Sequence, residues 1–273
     1  MAQTLHQRQI GYEDSCNQSI ISRIPVIIKI DGRSFSRVTK NTPKPFCHKT
    51  MAMLNGTMLA LAKQIDGVVF GYQYSDKIIL VLRNDRSQDE DPWFGNSIQK
   101  ITSVSASLAT YEFMSQLWGV EDPPNLDGAV TFSSQVFPVP NVSEAINYLI
   151  FRQFKCVQNA INESVQSVLW PRYGRQTYDL LEDKSMEDRK KILEDSGFDF
   201  DSLPGAYRHG SGVYLTPKLV NTSQGQITRH KWLVDFDLPL FTESKAKERL
   251  RTILTTGSDI FRPERDLNDN DAI

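Results

Sequence analysis

The stretch that most constrains the fold is residues 25–35, which read P-V-I-I-K-I-D-G-R-S-F. The β-branched residues at its start predict a buried strand, and this strand ends at Asp31, directly before Gly32. A glycine after an aspartate lets the backbone turn or approach a ligand closely, which suits a metal-holding carboxylate. Taken alone, Asp-Gly is more typical of a turn at the end of a strand. The choice between the two interpretations depends on residues further along the chain.

A second carboxylate follows a second predicted strand. Residues 68–73 (V-V-F-G-Y-Q) lead to Asp76, and residues 77–82 (K-I-I-L-V-L) predict an adjoining strand. Residues 48–64 between the two aspartates carry apolar side chains at helical spacing. A strand, a helix and a hairpin in this order can bring Asp31 and Asp76 to one edge of a sheet. Polymerase palms use two such carboxylates to hold two Mg²⁺ ions for reactions of nucleoside triphosphates, and we interpret the pair in this way.

The remaining segments complete an alternation of helices and strands. Lys44 lies between Pro43 and Pro45, which stiffen the loop; the lysine is either a phosphate contact or an exposed residue in a rigid turn. We expect Pro171 to end one helix and the tail at 266–273 to fray. The other expected elements are helices in residues 1–24, 93–116, 143–170 and 185–196, and strands at 130–139, 213–216 and 231–241.

Composition limits the class of protein. The 273 residues carry a net charge of -2 with 40% hydrophobic and 23% charged residues, so a general nucleic-acid coat protein is excluded and RNA binding would need a local basic patch. The three cysteines, Cys16, Cys47 and Cys156, are far apart and predict reduced thiols. Because no signal peptide or membrane span is evident, we expect a cytoplasmic protein with no membrane partner.

With both aspartates placed, the sequence resembles the tRNA(His) guanylyltransferase family, and more closely its bacterial and archaeal relatives, the 3′-5′ nucleotide polymerases that repair tRNA 5′ ends. The resemblance covers about residues 12–215. Its motifs follow the family's order, and together they are far more specific than any one of them. They are the Asp31 segment, K-P-F at 44–46, G-Y-Q-Y-S-D at 71–76, W-F at 93–94, Q-K-I-T-S-V-S-A-S at 99–107, F-R-Q at 151–153 and Y-R-H-G at 207–210.

The resemblance implies an α+β fold with a polymerase-like palm, a ferredoxin-like βαββαβ antiparallel sheet with helices on one face, plus helical C-terminal additions. We expect a palm-like catalytic domain with an N-terminal helix at 1–165. A helix and strand extension would occupy 166–273, or the two would form one continuous domain. The implied assembly is a homotetramer, a dimer of dimers. The implied partners are tRNA or a tRNA-like RNA and nucleoside triphosphates, GTP and/or ATP.

The resemblance also implies roles for individual residues. Asp31 and Asp76 would be catalytic and, with the Gly32 carbonyl, would hold two Mg²⁺ ions. The nucleotide contacts would come from a larger set around them, which consists of Gly32, Arg33, Ser34, Phe35, Lys44, Ser75 and Lys100. Arg152, Asn159 and Arg208 would be further RNA or nucleotide contacts. Cationic and hydroxyl groups suit phosphate oxygens, so the chemistry of these side chains agrees with the resemblance.

The chain departs from the family where charge matters most. Relatives have an acid where this chain has Lys77, and another where it has Lys155. Ser133 and Gln135 replace an acid and a base, and Val157 replaces a histidine of the eukaryotic members. Either the lysines are outward-facing drift, or the nucleotide pocket has changed while the metal carboxylates were kept.

Three hypotheses follow. The first is a Mg²⁺-dependent nucleotidyltransferase that acts in the 3′-5′ direction on the 5′ end of tRNA or a tRNA-like RNA, for 5′-end repair or guanylylation. The second is a catalytically altered relative that binds nucleotide or tRNA without turnover. The third is a palm enzyme that makes a small nucleotide product. The nucleotide added, the use of a template base and the acceptor RNA are not specified by the sequence.

Overall fold

The computed structural model describes residues 3–87, 89–222 and 225–260, and the expected tail at 266–273 lies outside them. Six strands form one antiparallel sheet in the order β4-β1-β3-β2-β5-β6. Antiparallel pairing allows short hairpins such as the one that joins β2 to β3. The strands are β1 (Val26–Gly32), β2 (Val68–Tyr74), β3 (Lys77–Leu82), β4 (Phe132–Pro138), β5 (Ser211–Thr222) and β6 (Gly225–Asp235).

The helices connect and cover these strands. They are α1 (Leu5–Asp14), α2 (Phe35–Val38), α3 (His48–Gln64), α4 (Ile98–Gly119), α5 (Val142–Tyr173), α6 (Gln176–Leu181), α7 (Met186–Asp195), α8 (Gly205–His209) and α9 (Ser244–Thr256). In the described part of the chain, none has the length and apolar character that crossing a bilayer requires.

Strand β1 divides its side chains between two cores because successive residues point to opposite faces of a sheet. Ile28 and Ile30 pack with residues of α3 and α4 on one face. Ile27 packs on the other face with residues of α5 and α9, as does Ile79 of β3. The buried positions of β1 are therefore apolar, and the charged residues Lys29 and Asp31 are only partly buried near its end.

The succession β1-α3-β2-β3-α4-β4, with spatial order β4-β1-β3-β2, confirms the expected palm-like α+β fold. Helices α3 and α4 share one face, as expected for the palm itself. The opposite face is covered by α5 and α9, because its apolar side chains also require burial. Strands β5 and β6 extend the sheet beyond β2.

The helix expected at 93–116 is interrupted. A 3₁₀ turn at Trp93–Asn96 is followed by α4, which starts at Ile98. Phe94, Gly95 and Asn96 have φ angles of 51°, 58° and 59°, which no right-handed helix contains. The prediction of one continuous helix was wrong for this reason.

Two other expected boundaries were also wrong. Helix α5 does not stop at Pro171, because a proline in the last turn removes only one hydrogen bond; the helix ends before Gly174, whose φ is 53°. Strand β6 begins at Gly225 and ends at Asp235, earlier at both ends than the expected 231–241, because it pairs with β5 across a long hairpin.

The division of the chain at residues 165 and 166 stays a prediction. Helix α5 runs across this point, and its C-terminal half forms a small separate core with α6 and α7. Ile161, Val165, Leu181 and Leu193 are the buried members of this core.

Truncation of a core residue tests the two-core arrangement. Leu80 on β3 is 0% exposed, so we expect Leu80→Ala to lower the free energy of unfolding by about 2–5 kcal/mol. Leu5 is 65% exposed, and Leu5→Ala should change it by no more than about 0.5 kcal/mol. Urea denaturation followed by circular dichroism measures both, and equal effects of the two substitutions would contradict the arrangement.

Candidate functional site

The two aspartates lie together at one end of the sheet. Strands β1 and β3 pair so that Asp31 is opposite Lys77, and Asp76 occupies the turn that precedes β3. The Gly32 N–H donates a hydrogen bond of 2.9 Å to the Asp76 carbonyl. A Cβ on residue 32 would lie 2.5 Å from the Phe35 ring and 3.2 Å from the Asp76 Cβ, so this close approach requires glycine.

Two ammonium groups already neutralise the carboxylates. Lys77 Nζ lies 2.5 Å from Asp76 Oδ1 and 3.7 Å from Asp31 Oδ1. Lys29 Nζ lies 2.7 Å from Asp31 Oδ2. Burial alone would lower the pKa of Lys77, but the Asp76 and Asp31 carboxylates raise it above its ordinary value. These four side chains, Lys29, Asp31, Asp76 and Lys77, are called the carboxylate-lysine cluster below.

A cleft of about 930 Å³ opens beside this cluster. Its walls come from the segment after β1, the start of α3, the β2-β3 turn, α5 and α8. Six of the residues predicted to contact nucleotide or RNA lie along it, together with the predicted catalytic residue Asp76; the six are Gly32, Ser34, Phe35, Lys44, Ser75 and Asn159. Its volume falls in the range of small-molecule sites, so it is large enough for a nucleotide.

Within this cleft, Lys44 and Glu163 set the local charge. Lys44 Nζ donates to the Thr39 carbonyl at 3.3 Å, and its positive charge acts on the Glu163 carboxylate. The Glu163 side chain is exposed to solvent in the cleft, and protein surrounds it on its other sides. Desolvation by this protein raises the pKa of Glu163, and the positive charge of Lys44 opposes the shift. The Tyr207 hydroxyl donates to Glu163 Oε2 at 3.3 Å.

Aromatic side chains form part of the cleft walls. Phe46 and Tyr207 have ring centroids 4.5 Å apart, and Trp170 and Tyr178 pack edge to face at 5.7 Å. Such faces can stack on a nucleobase. Phe46 and Tyr207 belong to motifs in the sequence, but roles were predicted only for the neighbouring cations, Lys44 and Arg208. Lys29 and Glu163 were not predicted from the sequence, because their importance comes from residues that are close only in space.

Phe35 faces the core with most of its ring. It is 7% exposed and packs against Phe113 and Phe132 with centroids 5.9 and 6.2 Å away. Ser34 and Ser75, in contrast, line the cleft. Their φ angles are left-handed, 50° and 49°, so each serine lies in a tight turn. Phe35 thus supports the turn from within the core.

Four predicted cations lie outside the cleft, and three of them, Arg33, Lys100 and Arg208, are exposed or held by nearby backbone. Arg33 is exposed, and its backbone N–H donates to the Thr131 carbonyl at 2.9 Å. Lys100 is exposed on α4. The Arg208 guanidinium donates to the Leu203 carbonyl at 3.0 Å and lies 3.4 Å from Asp201 Oδ1, so it is held by its own loop.

Arg152 belongs to a separate aromatic group on α5. Its Nη2 donates to the Tyr148 hydroxyl at 2.6 Å, and its guanidinium carbon lies 4.8 Å from the Tyr148 ring centroid and 5.0 Å from that of Phe151. Burial raises the pKa of the Tyr74 hydroxyl, and the nearby Arg152 opposes this shift. Among the described atoms, the buried Arg152 Nε has no hydrogen-bond partner.

The donor atoms at the cluster fit magnesium in type. Carboxylate and carbonyl oxygens are its preferred ligands, and it needs few from the protein when phosphate oxygens and water complete its shell. Over the described ranges, no group of three or more His, Cys, Asp or Glu side chains could hold a metal by itself. A divalent cation here would therefore depend on a phosphate ligand and on displacement of the Lys77 ammonium.

Residues 7–140 match a family model described as tRNAHis guanylyltransferase. The chain is 26% identical over 199 residues to tRNA(His) guanylyltransferase 2 of Arabidopsis thaliana, an alignment that covers 70% of this chain and 36% of that protein. The chain thus spans about a third of the length of the two plant relatives it matches, 36% and 35%.

Solved structures match over more of the fold. A bacterial tRNA(His) guanylyltransferase-like protein in complex with ATP has a TM-score of 0.73 and 26% identity, covering 92% of this chain and 99% of that one. A bacterial tRNA(His) guanylyltransferase-like protein in complex with GTP has a TM-score of 0.72 and 25% identity, and the match covers 92% of this chain and 99% of that one. The similarity therefore includes the C-terminal half, beyond the residues that the family model matches.

Thiol reactivity tests the burial at this site. Burial raises the pKa of the Cys156 thiol to about 12, whereas Cys16 is exposed. Because the thiolate is the reactive form, we expect Cys16 to be alkylated at least about a hundred-fold faster than Cys156 at pH 8. Mass spectrometry after timed treatment with iodoacetamide measures both rates on the folded protein, with the urea-unfolded protein as the control in which the difference disappears. Equal rates in the folded protein would contradict the burial of Cys156.

Proposed function

We propose that the chain is a member of the tRNA(His) guanylyltransferase family and a nucleotidyltransferase that adds nucleotides in the 3′-5′ direction to the 5′ end of tRNA or a tRNA-like RNA. The observation that carries the proposal is the position of Asp31 and Asp76, side by side next to a nucleotide-sized cleft. Two neighbouring carboxylates, one of which lines such a cleft, are suited to phosphate chemistry that depends on metal ions.

The substrate that fits the cleft is a nucleoside triphosphate, GTP and/or ATP. The similar bacterial proteins are in complex with ATP and GTP, and the cleft of this chain has Lys44, Ser34 and Ser75 along one side. A lysine and two hydroxyl groups can bind phosphate oxygens by charge-assisted hydrogen bonds. Arg33 and Lys100, exposed outside the cleft, would reach a bound triphosphate only from its edge.

Two magnesium ions would be held by Asp31, Asp76 and the Gly32 carbonyl. When bound, magnesium stabilises the negative charge that develops on phosphate oxygens and lowers the pKa of an attacking hydroxyl. The protein's own residues position the reactants: Gly32 lets β1 approach the β2-β3 turn, and Lys44 orients the phosphates. The half-buried Phe46 ring, which packs against the buried Tyr207, offers a place for the base.

The acceptor RNA would need basic side chains beyond the cleft. Arg152 and Asn159 lie on α5, and Arg208 would have to leave Asp201 before it could bind phosphate. Because the net charge is -2, we propose that a homotetramer, a dimer of dimers, brings basic residues of several subunits together. A cytoplasmic location is part of the same proposal, since tRNA and nucleoside triphosphates are available there.

One observation favours a second candidate function, a relative that binds nucleotide or tRNA without turnover. Lys29 and Lys77 pair with both aspartates, which leaves the free site without the excess negative charge that normally attracts divalent cations. Tight binding of a triphosphate with no release of pyrophosphate would support this candidate.

Removal of each carboxylate tests the nucleotidyltransferase proposal. We expect Asp31→Asn and Asp76→Asn each to lower nucleotide incorporation by about a thousand-fold or more, since a metal ion supplies several kcal/mol of transition-state stabilisation. The measurement is transfer from labelled GTP and ATP, with Mg²⁺, to tRNA that lacks its first nucleotide and to 5′-triphosphorylated tRNA.

The matched control is Asp122→Asn, because Asp122 pairs with Lys49 on the surface of the protein. It should retain the parent's incorporation. Incorporation that is the same in Asp31→Asn, Asp76→Asn and the parent would contradict the proposal, as would no incorporation by the parent with any divalent metal. A reaction with nucleotide but no RNA separates a small nucleotide product from transfer to RNA.

A further inference from the structure

We propose that the Lys77 ammonium is an internal cation that takes the place of a divalent metal in the nucleotide-free protein, so that metal enters only together with a triphosphate. The inference rests on the metal site of the proposed function. Its geometric basis is that Lys77 Nζ reaches both carboxylates, 2.5 Å to Asp76 and 3.7 Å to Asp31. No other cation of the described residues is shown within 4.0 Å of Asp76.

The charges of the cluster are balanced without a metal. Two carboxylates face two ammonium groups, with Lys29 on the far oxygen of Asp31 at 2.7 Å. A divalent cation that approached this neutral group would lie almost as close to the Lys77 ammonium as to its carboxylate ligands. The two positive charges would repel each other. Magnesium also gives up its water reluctantly, and two paired carboxylates offer little compensation. We therefore expect weak binding of divalent metal to the free protein.

The position of Lys77 allows it to leave. Its side chain is 26% exposed, and it lies at the first residue of β3, next to the turn that carries Ser75 and Asp76. A lysine has a flexible stem of four carbons, so the ammonium can move without movement of the strand. A triphosphate in the adjacent cleft offers it new anionic partners while also supplying metal ligands.

Metal and triphosphate would then be coupled through one side chain. The triphosphate draws Lys77 away from the carboxylates, and the carboxylates become free for the metal that the triphosphate carries. Because linkage is reciprocal, metal should tighten triphosphate binding by the same factor. Lys77 thus acts on the metal through Asp31 and Asp76, and on the triphosphate by direct contact.

The test is a titration of the nucleotide-free protein with Mn²⁺, followed by electron paramagnetic resonance of the free ion. We expect Lys77→Gln to bind Mn²⁺ about ten-fold more tightly than the parent or better, because a neutral amide removes the competing charge. Lys77→Arg keeps the charge and should match the parent. Lys49→Gln removes a lysine from a surface ion pair with Asp122 and should also match it. Circular dichroism establishes that each variant is folded.

Lys77→Gln that binds Mn²⁺ no more tightly than the parent would overturn the proposal. If Lys77→Gln does not fold, Mn²⁺ binding by the parent protein with and without ATP tests the proposal instead. Binding to the nucleotide-free parent that ATP leaves unchanged would overturn it, and binding that ATP strengthens about ten-fold or more would support it. These titrations need no RNA and no turnover, so their failure is distinguishable from a failure of the proposed nucleotide transfer.

Discussion

The ion pairs between Lys77 and the two aspartates are the interaction on which the account of this protein depends. They join β1 to the turn before β3 and hold the Asp31 carboxylate near Asp76, which lines the cleft. Carboxylates this close would repel one another if nothing neutralised them. Here the chain supplies the neutralising charge as a lysine of its own. The site is therefore held in shape before any ligand binds.

The two cores make this geometry possible. The faces of β1 and β3 that carry Ile28 and Leu80 are closed by α3 and α4, and the opposite faces by α5 and α9. A sheet buried on both sides has little freedom to bend, so the strand ends are positioned accurately. Near its end β1 presents Lys29 and Asp31, and α5, which closes one core, also forms a wall of the cleft.

Periodicity predicted the apolar strands and the amphipathic helix between the two aspartates, and the resemblance to a known family supplied their arrangement as a palm. Periodicity also brought out Asp31 and Asp76, since a charged residue that ends an apolar strand is conspicuous. The sequence could not reveal that Lys77 points at both carboxylates, because a lysine that faced solvent at this position would give the same sequence. Glu163 and Lys29 were missed for a related reason: their roles come from contacts with residues far away in the chain. The left-handed turn at Phe94 and Gly95 broke a helix that spacing alone had joined.

The most direct test of the central claim is a crystal structure with Mn²⁺ and a non-hydrolysable triphosphate, in which anomalous scattering locates the metal. We expect Mn²⁺ about 2 Å from oxygens of Asp31 and Asp76, close to the 2.0–2.1 Å typical of Mg²⁺. We also expect that the Lys77 ammonium has moved from these carboxylates to the triphosphate. A triphosphate bound in the cleft while Lys77 still pairs with Asp31 and Asp76, and with no metal between them, would contradict the central claim.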